Sequence, residues 1–246
     1  MMLAILRFTI SSIFLVYASF LDITKREVPD RVWVVSIPVC LGLDCIDLSL
    51  ENLVALPFLV SIGISLLLGF SLCFMGFYGG ADAKALLLIA VAVPSYFKAN
   101  SPLFRLFPVP ILLIFICSTI LSAIYPLAIL FLNVTDFVKG KKLLADIEVQ
   151  NWFKKLILYL TSRKVKFEEL KKAQLKYFPA EKISVENGVI KRLPIYFIRS
   201  EANIDEMMIK LETHKALLEG GVLVLPTIPM VCVLTLGFVI TSFLSF

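Results

Sequence analysis

Histidine is nearly absent from this sequence of 246 residues, which contains only His214, in a charged stretch. A single histidine excludes histidine-rich zinc sites and the paired histidines of H-E-x-x-H metalloproteases. A Ser-His-Asp triad would have to use His214, and its charged neighbours favour a solvated surface position instead. The sequence therefore gives little support to a histidine-dependent hydrolase.

The five cysteines form no C-x-x-C pair, and each lies in or beside an apolar run. This pattern is typical of buried thiols that pack as small hydrophobic groups. It predicts neither a disulfide framework nor a cysteine metal site. We therefore expect no metal ion and no cofactor in this protein.

Long apolar runs dominate the rest of the chain, in which 59% of the residues are hydrophobic. Soluble domains contain about 45–50% apolar residues, and about 20 consecutive apolar residues can span a bilayer as a helix. The sequence predicts an α-helical membrane protein with six transmembrane helices and a small cytoplasmic α+β insertion before the last helix. The predicted spans cover approximately residues 3–21, 31–44, 52–77, 83–97, 109–134 and 221–246.

Charge divides the chain into three parts. Residues 135–220 contain 17 of the 24 Lys and Arg residues and 12 of the 19 Asp and Glu residues. We predict a five-span membrane domain in residues 1–134, a soluble cytoplasmic insertion in 135–220 and a sixth transmembrane helix in 221–246. The predicted elements of the insertion are a helix at 146–160, an Asn-Gly hairpin at 183–190, a strand at 193–198, and a helix with a capping box at 203–206 that ends at Gly220-Gly221.

The placement of Lys and Arg predicts the orientation in the membrane. The loop after the first predicted span contains Lys25, Arg26 and Arg31, whereas the loop after the second contains only acidic charges. Those acidic residues are Asp44, Asp47 and Glu51. The loops after the first, third and fifth spans are therefore predicted to be cytoplasmic, with both termini outside a multi-pass cell-membrane protein.

A glycine pair stands between two apolar runs, in Gly79-Gly80-Ala81-Asp82. Glycine adopts backbone conformations that are closed to other residues. A carboxylate at the edge of a membrane span is costly, which makes Asp82 a candidate functional residue. Asp82 could also be the N-cap of the next helix. A cap does not need two preceding glycines, whereas a cleavage site needs the backbone to approach a substrate closely.

A second carboxylate, Asp22, follows the first predicted span. The chain crosses the membrane twice between Asp22 and Asp82, so both lie on the same side whatever the orientation. Two close carboxylates share one proton, so that one activates water while the other hydrogen-bonds the scissile carbonyl, as in aspartic proteases. Asp22 and Asp82 are thus the candidate catalytic pair. Asp22 follows a negative helix end and Asp82 precedes a positive one, which favours the shared proton on Asp22.

These stretches resemble known protease motifs. Gly79-Gly80-Ala81-Asp82, with Lys84, resembles the G-x-G-D motif of membrane aspartic proteases, although Ala81 replaces the second motif glycine. The loop Asp22-Ile-Thr-Lys-Arg-Glu-Val-Pro-Asp30 resembles the first-aspartate loop of type IV prepilin peptidases. Six spans with an insertion before the last are similar to archaeal preflagellin peptidases. The resemblance implies that Asp22 and Asp82 are catalytic and that Gly79 and Gly80 form a turn that admits the substrate.

The resemblance also implies an activity and its partners. It predicts a membrane aspartic endopeptidase that removes the short basic leader peptide from preflagellin or pilin-like precursors at the cytoplasmic membrane face. The implied partners are such a precursor, consisting of a leader and an apolar helix, and the lipid bilayer, with no nucleic acid. Because C-x-x-C pairs are absent, there is no reason to expect the zinc site or N-methylation of the larger bacterial prepilin peptidases.

Three other interpretations remain open. A presenilin-type protease would have its aspartates at mid-span, whereas Asp22 and Asp82 are predicted at span ends. A proton- or cation-coupled small transporter could use both aspartates, and it predicts inverted repeats, which the six apolar runs do not display. A non-catalytic membrane scaffold, with a basic insertion that binds lipid or a partner, would leave the glycine pair unexplained.

Overall fold

Two structural units make up the chain. The membrane unit comprises Met1–Ser122 and Pro229–Phe246, and the α+β unit comprises Ala123–Ile228. These limits differ from the predicted boundaries at 134 and 220. The computed structural model describes all residues except 1, 77–78, 96–106, 142, 146, 148, 150, 174, 187–188, 197–200, 219 and 246.

The described residues are mostly helical. In chain order the helices are α1 (Met2–Lys25), α2 (Asp30–Ser49), α3 (Ala55–Phe74), α4 (Gly80–Ala92), α5 (Pro110–Ser122), α6 (Ile124–Val138), α7 (Trp152–Thr161), α8 (Phe167–Lys172), α9 (Glu201–Thr213) and α10 (Met230–Ser245). The strands are β1 (Arg163–Val165), β2 (Tyr177–Pro179), β3 (Glu181–Glu186), β4 (Val189–Pro194) and β5 (Val222–Pro226), and a 3-10 helix covers Lys215–Leu218.

Among the described residues, four stretches are long and apolar enough to cross a membrane. They are α1, α2, α3 and Pro110–Val138, which contains α5 and α6. Helix α10 is apolar but shorter, and α4 has 13 residues. The prediction of a helical membrane protein with a small β-containing region is therefore confirmed, whereas the number of six transmembrane helices is not.

Several predicted helix limits were wrong. Helix α1 continues past Asp22 to Lys25, so this aspartate lies within a helix and not after it. The predicted fifth span is interrupted at Ala123, between α5 and α6. The last helix begins at Met230, not Gly221, because Val222–Pro226 pairs with two other strands.

Helix α4 forms the centre of the membrane unit. Ala85, Leu86, Leu88 and Ile89 are completely buried, together with the residues that follow them as far as Ala92. A helix that is apolar on all sides is expected to be surrounded by other elements. Helices α1, α2, α3, α5 and α10 all contact α4. The part of α4 that follows Asp82 is therefore enclosed by the other helices of the membrane unit.

Small residues let the membrane helices approach closely. A Cβ atom at Gly69 of α3 would lie 3.0 Å from the Cβ atom of Ala83 on α4. A Cβ atom at Gly237 of α10 would lie 2.1 Å from the Ser118 hydroxyl oxygen on α5. These contacts leave no room for larger side chains, so the glycines set the spacing of both helix pairs.

A buried ion cluster joins α1 to the end of α2. The Arg7 guanidinium pairs with the Asp44 carboxylate and, at 3.2 Å, with that of Asp47. All three side chains are almost inaccessible to solvent. The Asn52 amide also donates to Asp47, at 3.4 Å. The prediction that Asp44 and Asp47 belong to an acidic loop was wrong, because the charge of Arg7 allows α2 to continue to Ser49.

The α+β unit contains a three-stranded antiparallel sheet with the order β1-β5-β2. Its central strand, β5, places Leu223 opposite Lys164 of β1 and Leu225 opposite Phe178 of β2. Val222, Leu223 and Val224 are completely buried. The apolar character that suggested the start of a transmembrane helix at Gly221 therefore belongs to a core strand.

Strands β3 and β4 form the predicted hairpin, whose Asn187-Gly188 turn lies outside the described residues. Glu181 of β3 accepts two hydrogen bonds from Arg192 Nη2 of β4, at 2.7 and 2.9 Å, and the same nitrogen donates to the Gly221 carbonyl at 2.7 Å. Burial raises the pKa of the Glu181 carboxyl, and the positive charge of Arg192 opposes this rise. The pair thus fastens the hairpin to the start of β5.

Other predictions for this unit were partly wrong. The predicted helix at 146–160 begins at Trp152, after an Asn151 side chain that accepts from the Phe153 amide at 2.9 Å. The predicted capping box at 203–206 lies inside α9, which ends at Thr213. The predicted strand at 193–198 ends with β4 at Pro194, and residues 197–198 lie outside the described part of the chain.

Candidate active site

Asp22 lies in the last turn of α1 and reaches the first turn of α10. Its carboxylate accepts a hydrogen bond from the Val231 amide at 3.0 Å. The first N–H groups of a helix have no partner within the helix. Asp22 satisfies one of them, that of Val231, from which it is separated by more than 200 residues of sequence.

A pair of hydroxyl groups fixes α1 against α10. The Ser19 hydroxyl lies 2.8 Å from that of Thr235, and both side chains are buried. The Ser19 hydroxyl donates to that of Thr235, which in turn donates to the Val231 carbonyl, so neither hydroxyl donates to the Asp22 carboxylate. Ser19 is almost one turn before Asp22 along α1, and this contact holds Asp22 at the start of α10.

Asp82 lies in the first turn of α4. Gly79 is the N-cap of this helix, and the Gly79 amide donates to the Asp82 carboxylate at 2.8 Å. This is the carboxylate half of a capping box. Asp82 therefore contributes to the start of the helix, but it does so from the third helical position and not as the N-cap that the sequence offered as an alternative.

Gly79 and Gly80 do not use the conformational freedom of glycine. Gly79 has an extended backbone, with φ −84° and ψ 167°, and Gly80 is helical. Among the described glycines near this turn, the left-handed conformation occurs at Gly76, with φ +75°. The expectation of an unusual backbone at Gly79-Gly80 was therefore wrong. What Gly80 provides is space, because a Cβ atom there would meet no atom within 4 Å.

Both candidate carboxylates lie in the membrane unit, on helices α1 and α4, which contact each other. Asp22 lies near enough for its negative charge to contribute to the electrostatic environment of Asp82. Each carboxylate accepts backbone N–H groups at a helix start, Asp22 from α10 and Asp82 from α4. Both thus accept from positive helix ends, although Asp22 also lies in the last turn of α1, at the negative end of that helix. The placement of the shared proton on Asp22 stays a prediction.

An ion pair ties the two aspartate-bearing segments to each other. Lys84, in the second turn of α4, donates to the Asp30 carboxylate at the start of α2, at 2.6 Å. Asp30 ends the short connection that follows Asp22. Both side chains of the pair are at least two-fifths exposed, so its contribution to stability is about 1 kcal/mol or less. Its geometric effect is to hold that connection beside Asp82.

Arg26 is a candidate functional residue that the sequence did not single out. It directly follows α1, has a left-handed backbone with φ +58°, and its amide donates to the Asp22 carbonyl at 3.2 Å. Its guanidinium acts electrostatically on Asp22 and on Cys232. Its Nε and Nη1 atoms are shielded from solvent and have no hydrogen-bond partner among the described residues. These donors are available to an incoming group.

Metal ligands do not cluster in the described part of the chain, where no group of three or more His, Cys, Asp and Glu residues could hold an ion. His214 lies at the surface, with a ring nitrogen 3.0 Å from the Lys210 carbonyl. The five cysteines are free, and only Cys40 is fully buried, so the expectation that all of them are buried was wrong. The candidate site therefore consists of carboxylates, a guanidinium and backbone groups.

Residues 9–127 match the model of the type IV leader peptidase family, and this match includes Asp22 and Asp82. Over these residues, the chain is similar to that family. A curated preflagellin peptidase from Methanococcus voltae is 26% identical to this chain over 251 residues, covering 94% of this chain and 91% of that protein. No solved structure matches the chain.

The similarity to the type IV leader peptidase family and to the preflagellin peptidase confirms the resemblance drawn from the two aspartate motifs. It supports a protease and does not favour the transporter. The family match ends within α6, whereas the similarity to the preflagellin peptidase continues over most of the chain, including the α+β unit. The matched residues also contain Arg26 and Lys84.

Proposed function

We propose that this chain is an aspartic endopeptidase that removes the short basic leader peptide from preflagellin or pilin-like precursors at the cytoplasmic membrane face. The observation that carries the proposal is the arrangement of Asp22 and Asp82. The two carboxylates interact electrostatically, and each is held by backbone N–H groups at the start of a helix. In a leader peptidase family member, this pair is suited to hydrolysis without a metal or a cofactor.

In the proposed reaction the pair holds one proton between its two carboxyl groups. The ionised carboxylate takes a proton from water as the water oxygen attacks the scissile carbonyl carbon, and the protonated carboxyl gives its proton to the carbonyl oxygen. The C–N bond of the tetrahedral intermediate then breaks. The leaving nitrogen receives a proton from the first carboxyl, and one hydroxyl of the intermediate returns a proton to the other. Water is thus added across the peptide bond and the pair is regenerated.

The surroundings of the pair suit a substrate with a basic leader and an apolar helix. Lys25, Arg26 and Arg31 lie near the same ends of α1 and α2 as Asp22, and such residues favour the cytoplasmic side. Phe74 and Met75, at the end of α3 shortly before the glycine pair, are 85% and 64% exposed. An apolar substrate helix can pack against such a surface within the bilayer.

Reconstitution of the full chain in liposomes tests this function against the transporter. A precursor peptide with a basic leader and an apolar helix is added, and the products are identified by mass spectrometry. The proposal expects one cleavage, just before the apolar run, with no cofactor added. Proton or cation flux that depends on Asp22 and Asp82, without cleavage of the peptide, would support the transporter and overturn the proposal.

Replacing Gly80 by alanine should impair cleavage without harming the fold. The added methyl group meets no atom within 4 Å, and the backbone at Gly80 is helical, so alanine is tolerated and the unfolding temperature stays equal or rises. If a substrate passes close to Gly80, the methyl group misplaces it, and kcat/KM falls by about 10-fold or more. Steady-state kinetics and thermal unfolding in detergent measure both effects.

Gly63 supplies the matched control for this variant. It lies within α3, has no left-handed backbone, and likewise has open space at its Cβ position. Gly63→Ala should leave kcat/KM unchanged. Equal activity of the Gly80 and Gly63 variants would show that the glycine pair does not admit the substrate.

Replacing Arg26 by glycine should lower activity while preserving stability. Glycine suits the left-handed backbone after a helix, so the substitution relieves strain at φ +58°. It also removes the positive charge beside Asp22 and two unpartnered donors. Loss of one donor to a developing oxyanion costs about 10²–10³ in kcat, and we expect a loss of this size in Arg26→Gly, measured by single-turnover cleavage.

The Arg26→Lys variant distinguishes the effect of the positive charge from the effect of the left-handed backbone. Arg26→Lys keeps the strained backbone and the positive charge, so it should recover part of the lost rate although it is no more stable than the glycine variant. If the glycine variant cleaves as fast as the original protein, Arg26 serves only to end α1.

A further inference from the structure

Helix α7 exposes an apolar face that no described part of the α+β unit covers. Trp152, Phe153 and Leu156 are 74%, 54% and 41% exposed. The rings of Trp152 and Phe153 meet edge to face, with centroids 5.9 Å apart. Leu158, on the opposite side of the helix, is completely packed into the core with Leu223. The helix therefore has one apolar side in the core and another on the surface.

The position of α7 beside α6 limits what can cover this surface. The Asn133 amide nitrogen of α6 donates to the Tyr159 and Ser162 carbonyls, both at 2.8 Å, and thus binds the end of α7. Helix α6 is the second half of the candidate membrane span Pro110–Val138. Asn133 precedes the end of α6 by five residues, or about 7 Å at the usual helical rise. Helix α7 therefore lies next to the end of a membrane span.

The length of that span places its end at the edge of the hydrocarbon region. About 20 helical residues cross the hydrocarbon core, whereas Pro110–Val138 has 29. Its surplus residues extend into the headgroup layer, where tryptophan rings and lysine side chains are favoured. Lys154 and Lys155 are exposed on α7, and the Lys154 ammonium lies 5.7 Å from the centre of the Tyr196 ring. These lysines supply positive charge that complements lipid phosphates.

We propose that the face of α7 formed by Trp152, Phe153 and Leu156 lies in the headgroup layer of the same membrane that the chain spans, with anionic lipids as its ligands. The aromatic rings enter the boundary between headgroups and acyl chains, as in other amphipathic interfacial helices. Lys155, on the flank of this face, remains near the phosphates. The bilayer thus becomes a binding partner of the α+β unit, independently of the proposed peptidase activity.

Because the chain contains only two tryptophans, this proposal can be tested by tryptophan fluorescence. Of its two tryptophans, Trp33 is 2% exposed inside the membrane unit and Trp152 is exposed. The full chain and its Trp152→Phe variant are reconstituted in liposomes, and the difference between their emission spectra reports Trp152 alone. The buried Trp33 remains in both proteins, so the comparison does not depend on altering the core.

Lipids brominated near the headgroup end or near the end of the acyl chain then give the depth of Trp152. We expect the shallow bromines to quench the Trp152 emission about twofold more than the deep ones, because interfacial helices insert only ~5–10 Å. Aqueous iodide should quench it little. Strong quenching by iodide would place Trp152 in water, and protection from both quenchers would show that protein covers it. Either result would overturn the proposal.

The lysines provide the test of lipid charge. In vesicles of phosphatidylcholine with phosphatidylglycerol, the Trp152 emission should shift further to the blue than in phosphatidylcholine alone. The Lys154→Gln and Lys155→Gln double variant should lose this additional shift and keep the shallow bromine quenching. An identical shift in both lipids, in the original chain and in the variant, would exclude anionic lipid as the ligand.

Discussion

Asp22→Asn and Asp82→Asn each abolish detectable precursor cleavage, with kcat/KM reduced by at least about 10²–10⁴-fold, the usual size of one general acid–base contribution. The reason is that asparagine neither ionises nor releases a proton in water. The measurement is single-turnover cleavage of a precursor peptide by the full chain in liposomes. The double variant should be hardly slower than either single variant, because groups that act as a unit show strongly non-additive effects.

Asparagine is the informative substitution because it preserves the structural contacts of both aspartates. An amide oxygen can still accept from the Val231 amide at position 22 and from the Gly79 amide at position 82. Both variants should therefore insert and unfold like the original chain. Asp30→Asn, in the same connection but paired with Lys84, is the matched control and should retain activity within a few-fold. Full cleavage by either the Asp22 or the Asp82 variant would refute the pair.

Arg7→Met lowers the free energy of unfolding of the membrane unit by about 3–5 kcal/mol, because it leaves Asp44 and Asp47 buried without their cation. Methionine retains most of the apolar stem of arginine, so the loss reports the charge and not a cavity. Unfolding in detergent by denaturant or heat measures the effect. The candidate active site does not include these residues, so the surviving folded protein should cleave at its original rate.

Two companion variants make this prediction specific. Arg31→Met removes an exposed arginine at the start of α2 and should change stability by no more than about 0.5 kcal/mol. Adding Asp44→Asn and Asp47→Asn to Arg7→Met removes the uncompensated charges and should restore most of the lost stability. An Arg7 variant as stable as the Arg31 variant would show that the cluster is not needed to hold α1 against α2.

The sequence predicted those features that depend on local pattern. Apolar runs predicted a helical membrane protein, in which four stretches of the described residues can span a membrane, and the Asn-Gly between β-prone runs predicted the β3–β4 hairpin. The two aspartate motifs predicted the similarity to the type IV leader peptidase family, since such short stretches carry their chemistry in a few adjacent residues. Nothing in these features requires a contact between distant parts of the chain.

The errors arose where the local structure depends on a contact with a residue that is distant in sequence. In the sequence, Asp44 and Asp47 resemble loop residues. In the membrane unit, their pairing with Arg7 allows them to be buried within a helix. Val222–Pro226 looks like the start of a membrane helix until β1 and β2 pair with it on either side. The hydrogen bond from Val231 to Asp22 likewise depends on the packing of α1 against α10. Sequence spacing alone contains none of these contacts.

The pH dependence of kcat/KM for precursor cleavage by the full chain in liposomes tests the central claim most directly. If Asp22 and Asp82 act as one pair, only the singly protonated pair is active, and the profile is bell-shaped with two ionisations that belong to the pair. A sloping profile with a single ionisation, or activity that continues undiminished where both carboxyls are protonated, would contradict the shared-proton mechanism.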